Sequence, residues 1–127
     1  MISSENLKMQ GIRIKCLQDK LIYPLYGIWS PTSQEYLDLF SNYVSQIQPT
    51  LKSYDTLADL GCGTGVLPII ASLNGGFSGK IYSFDKESNC IEASKMNSQI
   101  FGLSDKNNPI EIDLIDLYKP STINQGT

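Results

Sequence analysis

The chain has 127 residues, 41% of them hydrophobic and 18% charged, the size and balance of one small folded domain; a disordered or fibrous polypeptide is excluded. A net charge of -3 and a pI near 4.8 exclude the broad positive field that non-specific nucleic-acid binding requires. Three scattered cysteines (Cys16, Cys62 and Cys90) and the lack of any histidine argue against a zinc site or a disulfide framework. The N-terminus shows no basic-then-apolar leader, and no apolar run approaches the roughly 20 residues of a membrane span, so a reduced, cytoplasmic setting is expected.

In chain order, Ile12, Ile14 and Cys16 alternate with Arg13 and Lys15, Gln18-Asp19 offers a turn, and Lys20 to Tyr23 returns, which predicts a β-hairpin. Pro24, Gly27 and Pro31 make the next, aromatic-rich stretch irregular. From Thr32 to about Gln48, Tyr36, Leu37, Phe40, Tyr43, Val44 and Ile47 recur at three-and-four spacing, the signature of one helical face. Thr32 and Glu35 form a capping-box pattern at its start, and Pro49 is expected to stop it.

A short apolar strand follows at Thr56 to Leu60, then a helix from about Val66 to Leu73, with Pro68 in its first turn and Gly75-Gly76 at its end. Lys80 to Asp85 predicts a second strand, Ser88 to Ile100 a helix closed by Gly102, and Glu111 to Leu117 a third strand. Asn107-Asn108-Pro109 is read as the loop before it. Strands alternating with helices imply an α/β fold with a parallel sheet and right-handed crossovers.

The run Asp59-Leu60-Gly61-Cys62-Gly63-Thr64-Gly65 falls where a strand hands over to a helix, so its glycines permit a sharp turn and let a ligand approach the backbone closely. The bland alternative is a tight turn with no ligand. Asp85 lies twenty residues beyond Gly65, at the C-terminal end of the second strand, beside the crevice where open α/β sheets bind ligands. There its carboxylate can accept hydrogen bonds from both hydroxyls of a ribose; alone, it would read as a helix cap or a solvated charge. A dinucleotide site prefers G-x-G-x-x-G, and Val66 holds the place of the third glycine of that pattern. Asp59 would also repel a pyrophosphate but suits a cationic group.

Leu57 to Gly65 resembles the first motif of class I S-adenosylmethionine-dependent methyltransferases, and Asp85 their ribose-binding acid. Asp85-Lys86-Glu87-Ser88 through Asn97 and Gly102-Leu103, then Ile110 to Tyr118, are similar to their second and third motif regions. The nearest likeness is to the small-domain, HemK-like group that includes the release-factor glutamine methyltransferases, where Tyr26 to Ser33 resembles the segment that covers the cofactor. The resemblance spans Tyr26 to Tyr118 and implies a Rossmann-like sheet, with three strands of the class I order, behind an N-terminal hairpin and helix.

It implies S-adenosyl-L-methionine as cofactor, with Gly61, Gly63 and Gly65 under the methionine portion and Cys62 in the same loop. Asp59 would help bind the amino group, and Asp85 with Lys86 the ribose side. Asp116 and Leu117 would meet the adenine, although Asp116 also reads as a polar residue ending a strand. Trp29 and Tyr26 either cap the adenosine or pack in the core. Cys62 is expected to fit as a small residue, since no histidine or cationic cluster is at hand to activate its thiol. No metal is implied.

The Asn-Pro-Pro-aromatic motif with which the small-domain group orients its acceptor follows a fourth strand, which is not found in this chain. The 127 residues are therefore expected to be part of a longer enzyme, inactive alone: residues 1–31 a hairpin and cofactor-covering segment, and 32–127 the first half of a Rossmann-like domain. The first strand's open edge would invite a homodimer or a partner chain. Competing readings are a non-catalytic cofactor-binding module completed by another chain and a nicotinamide or flavin oxidoreductase. The methyl acceptor, whether a protein glutamine, a nucleic-acid base or a small molecule, is left open.

Overall fold

The computed structural model describes residues 11–24 and 34–118, with Leu117 and Tyr118 described in main chain only. An antiparallel hairpin comes first, β1 (Ile12–Ile14) paired with β2 (Lys20–Ile22). Cys16 leaves the predicted strand for a 3-10 turn at Lys15–Leu17. Gln18 and Asp19 then reverse the chain with φ values of 59° and 60°.

Helix α1 (Glu35–Gln46) forms within the predicted segment and buries Leu37 and Val44 of the predicted apolar face, while Tyr36 and Tyr43 of that face are exposed. Its predicted cap, Thr32, lies outside the described residues, and the residue before the helix, Gln34, makes no side-chain cap bond. Pro49 does not end the helical region. Ile47 breaks the helix first, and Pro49 then sits in the first turn of a short α2 (Gln48–Ser53), where a missing N–H costs nothing.

Strand β3 (Thr56–Leu60), helix α3 (Val66–Leu73), strand β4 (Lys80–Asp85) and helix α4 (Ser88–Ile100) lie where the sequence predicts them. The third strand of the sheet does not. Strand β5 is Asn107–Glu111, four residues before the expected segment, while Leu114–Tyr118 forms a 3-10 turn. Asn107, Asn108 and Pro109 are strand residues, paired with Ile81, Tyr82 and Ser83.

The reason for this register lies across the sheet. Asn107 is buried; its Oδ1 accepts the Ser83 hydroxyl at 2.7 Å, and its Nδ2 donates to Ser98 Oγ at 2.6 Å and Ser94 Oγ at 3.1 Å. Pro109 is tolerated because β5 pairs on one side only among the described residues. Ile112 N–H donates to Asp85 O, so in the parallel ladder the even-numbered residues turn their nitrogens to β4 and Pro109 turns its nitrogen outward.

The sheet order is β3-β4-β5, all parallel. Its face bearing Ile81, Ser83 and Asn107 is buried beneath the helices. On the other face Leu60 is 64% and Ile110 37% exposed, and β3 pairs on one side only among the described residues. The apolar core joins Ile14, Leu17 and Ile22 of the hairpin to Leu37 and Val44 of α1 and to Val66, Ile69 and Ile70 of α3. At about 1.5–3 kcal/mol per buried aliphatic side chain, this contact holds the hairpin on the helices, together with hydrogen bonds from Asn74 to Cys16 O and between Asn97 and Tyr23. No helix among the described residues is long and apolar enough to cross a membrane.

Candidate functional site

The bend between β3 and α3 is built by its glycines. Gly61, Gly63 and Gly65 have φ values of +76°, +53° and +79°, a region that side chains disfavour. The bend is stitched to β4 because the N–H groups of Gly61 and Cys62 both donate to Phe84 O, at 2.8 and 2.9 Å. Gly65 N–H closes the turn onto Cys62 O at 2.8 Å.

The three glycines do different work. A Cβ on Gly61 or Gly63 would meet nothing within 4 Å, so both border open space. A Cβ on Gly65 would lie 2.9 Å from Ser94 Oγ and 3.1 Å from Ser94 Cα. Gly65 is therefore buried against α4, and its missing side chain lets helix and loop pack closely.

Asp85, at the end of β4, points at the bend. Its Oδ2 accepts the Gly63 N–H at 3.2 Å and its Oδ1 the Glu87 N–H at 3.0 Å, which fixes the carboxylate while leaving further lone pairs free to accept. Gly61, Asp85 and the exposed Lys86 line one side of a cavity of about 200 Å³, with Ile112, Asp113 and Leu114 on the other. Asp113 stands at the place where the sequence reading set Asp116. Because β5 ends at Glu111, the residues just past the strand are Ile112 and Asp113, and Asp116 falls in the following 3-10 turn, its N–H donating to Asp113 O. The side chain of Leu117, like Tyr26 and Trp29, lies outside the described residues.

Asp59 is the electrostatically tense member of the site. Its Oδ2 is buried with no hydrogen-bond partner among the described residues. Burial, and then the negative charge of Asp85, push its carboxyl up from 3.8 to about 6. Nearby, burial pushes the Cys62 thiol up to about 12 and the Cys90 thiol to about 11, with Asp85 adding to both, so neither is a thiolate at neutral pH.

A glycine bend facing open space, an acid hydrogen-bonded to that bend, and a second acid lacking a partner are the arrangement expected for a cationic nucleoside ligand. The Ribosomal protein L11 methyltransferase (PrmA) family matches residues 31–119, most of the chain and all of this site. The chain belongs to this family, within the class I S-adenosylmethionine-dependent methyltransferases. Two curated relatives are probable cobalt-precorrin-6B C(15)-methyltransferases (decarboxylating). That of Saccharolobus solfataricus is 42% identical over 53 residues, covering 42% of this chain and 27% of the relative. That of Pyrobaculum aerophilum is 39% identical over 62 residues, covering 49% of this chain and 32% of the relative.

The matches thus span about a third or less of those relatives' length. Among solved structures, the N-terminal domain of human METTL16 in complex with SAH matches with a TM-score of 0.56 and 17% identity, over 93% of this chain and 48% of that one. Cofactor-bound Rv0187 from MTB matches with a TM-score of 0.53 and 16% identity, over 68% of this chain and 37% of that one. At these identities the structural likeness establishes the fold: the PrmA-family chain has the Rossmann-like α/β sheet of methyltransferases, with the hairpin and α1 ahead of it.

Proposed function

We propose that this chain binds S-adenosyl-L-methionine at the β3–α3 bend and presents it for methyl transfer, as the cofactor-holding part of a methyltransferase. The observation that carries the proposal is the hydrogen bond from Gly63 N–H to the Asp85 carboxylate, which makes glycine bend and acid one rim of one cavity. The residues present suit this cofactor. Gly61 and Gly63 leave space beside the backbone, and the partnerless Asp59 oxygen accepts a cationic amino group. The remaining lone pairs of Asp85 accept from ribose hydroxyls, while Lys86, Ile112, Asp113 and Leu114 border the same cavity on the adenine side.

When bound, the cofactor supplies an electrophilic sulfonium methyl. The contribution of the protein is placement, which recovers much of the entropy of a two-body encounter. Residues 1–31, with Trp29, cover the cofactor in this reading, and 32–127 hold it. The groups that orient the acceptor come from polypeptide added at the free edge of β3, next to the exposed sheet face. An affinity to the HemK-like glutamine methyltransferases rests on Tyr26 to Ser33 and belongs to the proposal; the acceptor is unassigned.

Isothermal titration of the 127-residue chain with S-adenosylhomocysteine, set against NADH, tests the reading. Binding of the homocysteine compound, weakened at least about tenfold in Asp85→Ala by loss of charge-assisted hydrogen bonds, is expected. NADH binding with no response to S-adenosylhomocysteine would overturn it in favour of an oxidoreductase.

A further inference from the structure

Asn97, on α4, is a buried polar side chain that the cofactor contacts proposed above do not use. It is 0% exposed, and its amide is spent on main chain from two distant segments. Oδ1 accepts the Tyr23 N–H at 2.8 Å, and Nδ2 donates to Tyr23 O at 3.0 Å and to Thr64 O at 2.9 Å. Tyr23 is the residue by which the chain leaves the hairpin, and Thr64 stands in the bend between Gly63 and Gly65.

The effect on the bend is specific. The peptide plane joining Thr64 to Gly65 is held at both ends, its N–H by Cys62 O at 2.8 Å and its C=O by Asn97. The plane turns on the φ of Gly65, and Gly63 and Gly65 both have positive φ, so it lies in a stretch of backbone with many orientations to lose. Fixing it sets the direction of Gly63, whose N–H meets Asp85. An apolar residue at position 97 could fill the same volume but would leave the Thr64 and Tyr23 carbonyls without this donor, and burying an amide is tolerated only when it is bonded this fully.

We infer that Asn97 is a positioning residue, which preorganises the glycine bend for the cofactor by clamping the Thr64 carbonyl and tying it to the hairpin exit at Tyr23. The inference rests on the cofactor-binding reading above. A bend already held in its binding shape loses less freedom when a ligand arrives, so the clamp acts on affinity as well as on stability.

The test compares the 127-residue wild type with Asn97→Ser, which removes the reach to Thr64. Asn97→Asp is the second variant, since it keeps an acceptor for Tyr23 N–H but loses both donated bonds. Asn74→Ser is the control; Asn74 Nδ2 donates to Cys16 O at 2.6 Å and Ser41 Oγ at 2.8 Å, tying the hairpin turn to α1 without touching the bend. Two readouts are taken well below the melting temperatures: affinity for S-adenosylhomocysteine by calorimetry, and amide hydrogen exchange at Gly65 in the ligand-free protein.

Either Asn97 variant that folds should bind at least about tenfold more weakly and exchange faster at Gly65, the loss of a buried bond being worth that much. Asn74→Ser should lower the melting temperature and leave affinity within about twofold. An Asn97 variant that melts earlier yet keeps wild-type affinity overturns the inference and leaves Asn97 a fold-stabilising residue. If the wild type does not bind S-adenosylhomocysteine, the proposed function fails on its own. The clamp is then judged by exchange, and unchanged protection at Gly65 in a folded Asn97 variant overturns it.

Discussion

Replacing Asp59 with asparagine should stabilise the ligand-free protein at neutral pH while weakening its hold on the cofactor. The Asp59 carboxyl is raised from 3.8 to about 6, chiefly by burial and then by Asp85, and its Oδ2 has no hydrogen-bond partner. That difference corresponds to about 3 kcal/mol of folding free energy. Because the folded value lies above the unfolded one, the stabilisation is complete below pH 3.8, where Asp59 is protonated in both states, and is lost as pH rises through 6. At pH 8 the folded chain carries the full cost of a buried, ionised carboxylate, and Asp59→Asn relieves it.

The variant should gain up to about 3 kcal/mol at pH 8, or roughly 10 °C in melting temperature for a chain of this length. The gain should shrink toward zero below pH 4, since neither side chain is then charged. Urea unfolding followed by circular dichroism at pH 8, 6 and 4 reads this directly. Calorimetry should show S-adenosylhomocysteine binding the wild type more tightly as pH rises from 5 to 7, because the cationic amino group prefers the ionised acid, and binding Asp59→Asn weakly at every pH. A variant no more stable than wild type at pH 8, or a gain that persists unchanged at pH 4, would refute the reasoning. The first result would mean that Asp59 is solvated, the second that the effect is packing and not charge.

The division of labour among the glycines predicts that Gly63→Ala costs about 1–2 kcal/mol from its left-handed backbone alone. Gly65→Ala should cost about 1–3 kcal/mol more, because its Cβ would press on Ser94 at 2.9 Å; equal losses in denaturant titrations would show that the Ser94 contact is unimportant. Cys62 and Cys90, with thiols raised to about 12 and 11, should resist iodoacetamide at pH 8 in the native chain and react once it is unfolded in urea. Rapid native labelling of Cys62, read by mass spectrometry, would contradict its buried, protonated state.

The parts of the fold that were legible in the sequence are those whose cause is local. Thr56–Leu60, Val66–Leu73, Lys80–Asp85 and Ser88–Ile100 are apolar segments punctuated by glycine, and the glycine bend with Asp85 follows from strand, turn and helix in succession. What escaped has a cause elsewhere in the chain. Asn107-Asn108-Pro109 reads locally as a loop, and Glu111 to Leu117 as a strand, because turn formers sit beside an aliphatic run. The pairing is decided instead by Asn107, whose bonds to Ser83, Ser94 and Ser98 fix the register, and by the edge position that lets Pro109 turn its nitrogen outward.

With that strand beginning four residues earlier than expected, Asp113 is the acid that lines the cavity beside Asp85, and Asp116 falls in the 3-10 turn that follows. The bonding of Asn97, named in the sequence only as part of a motif region, escaped for the same reason. Within its helix it is one polar residue among several, and it gains meaning only from Tyr23, 74 residues away, and Thr64, 33 residues away. The contrast extends to the two sheet edges: β5 carries Pro109, which blocks pairing, whereas β3, Thr56–Leu60, has no proline, lysine or bulge to do so. Among the described residues, an unguarded edge beside an exposed Leu60 is the pattern of a strand suited to pairing on both sides.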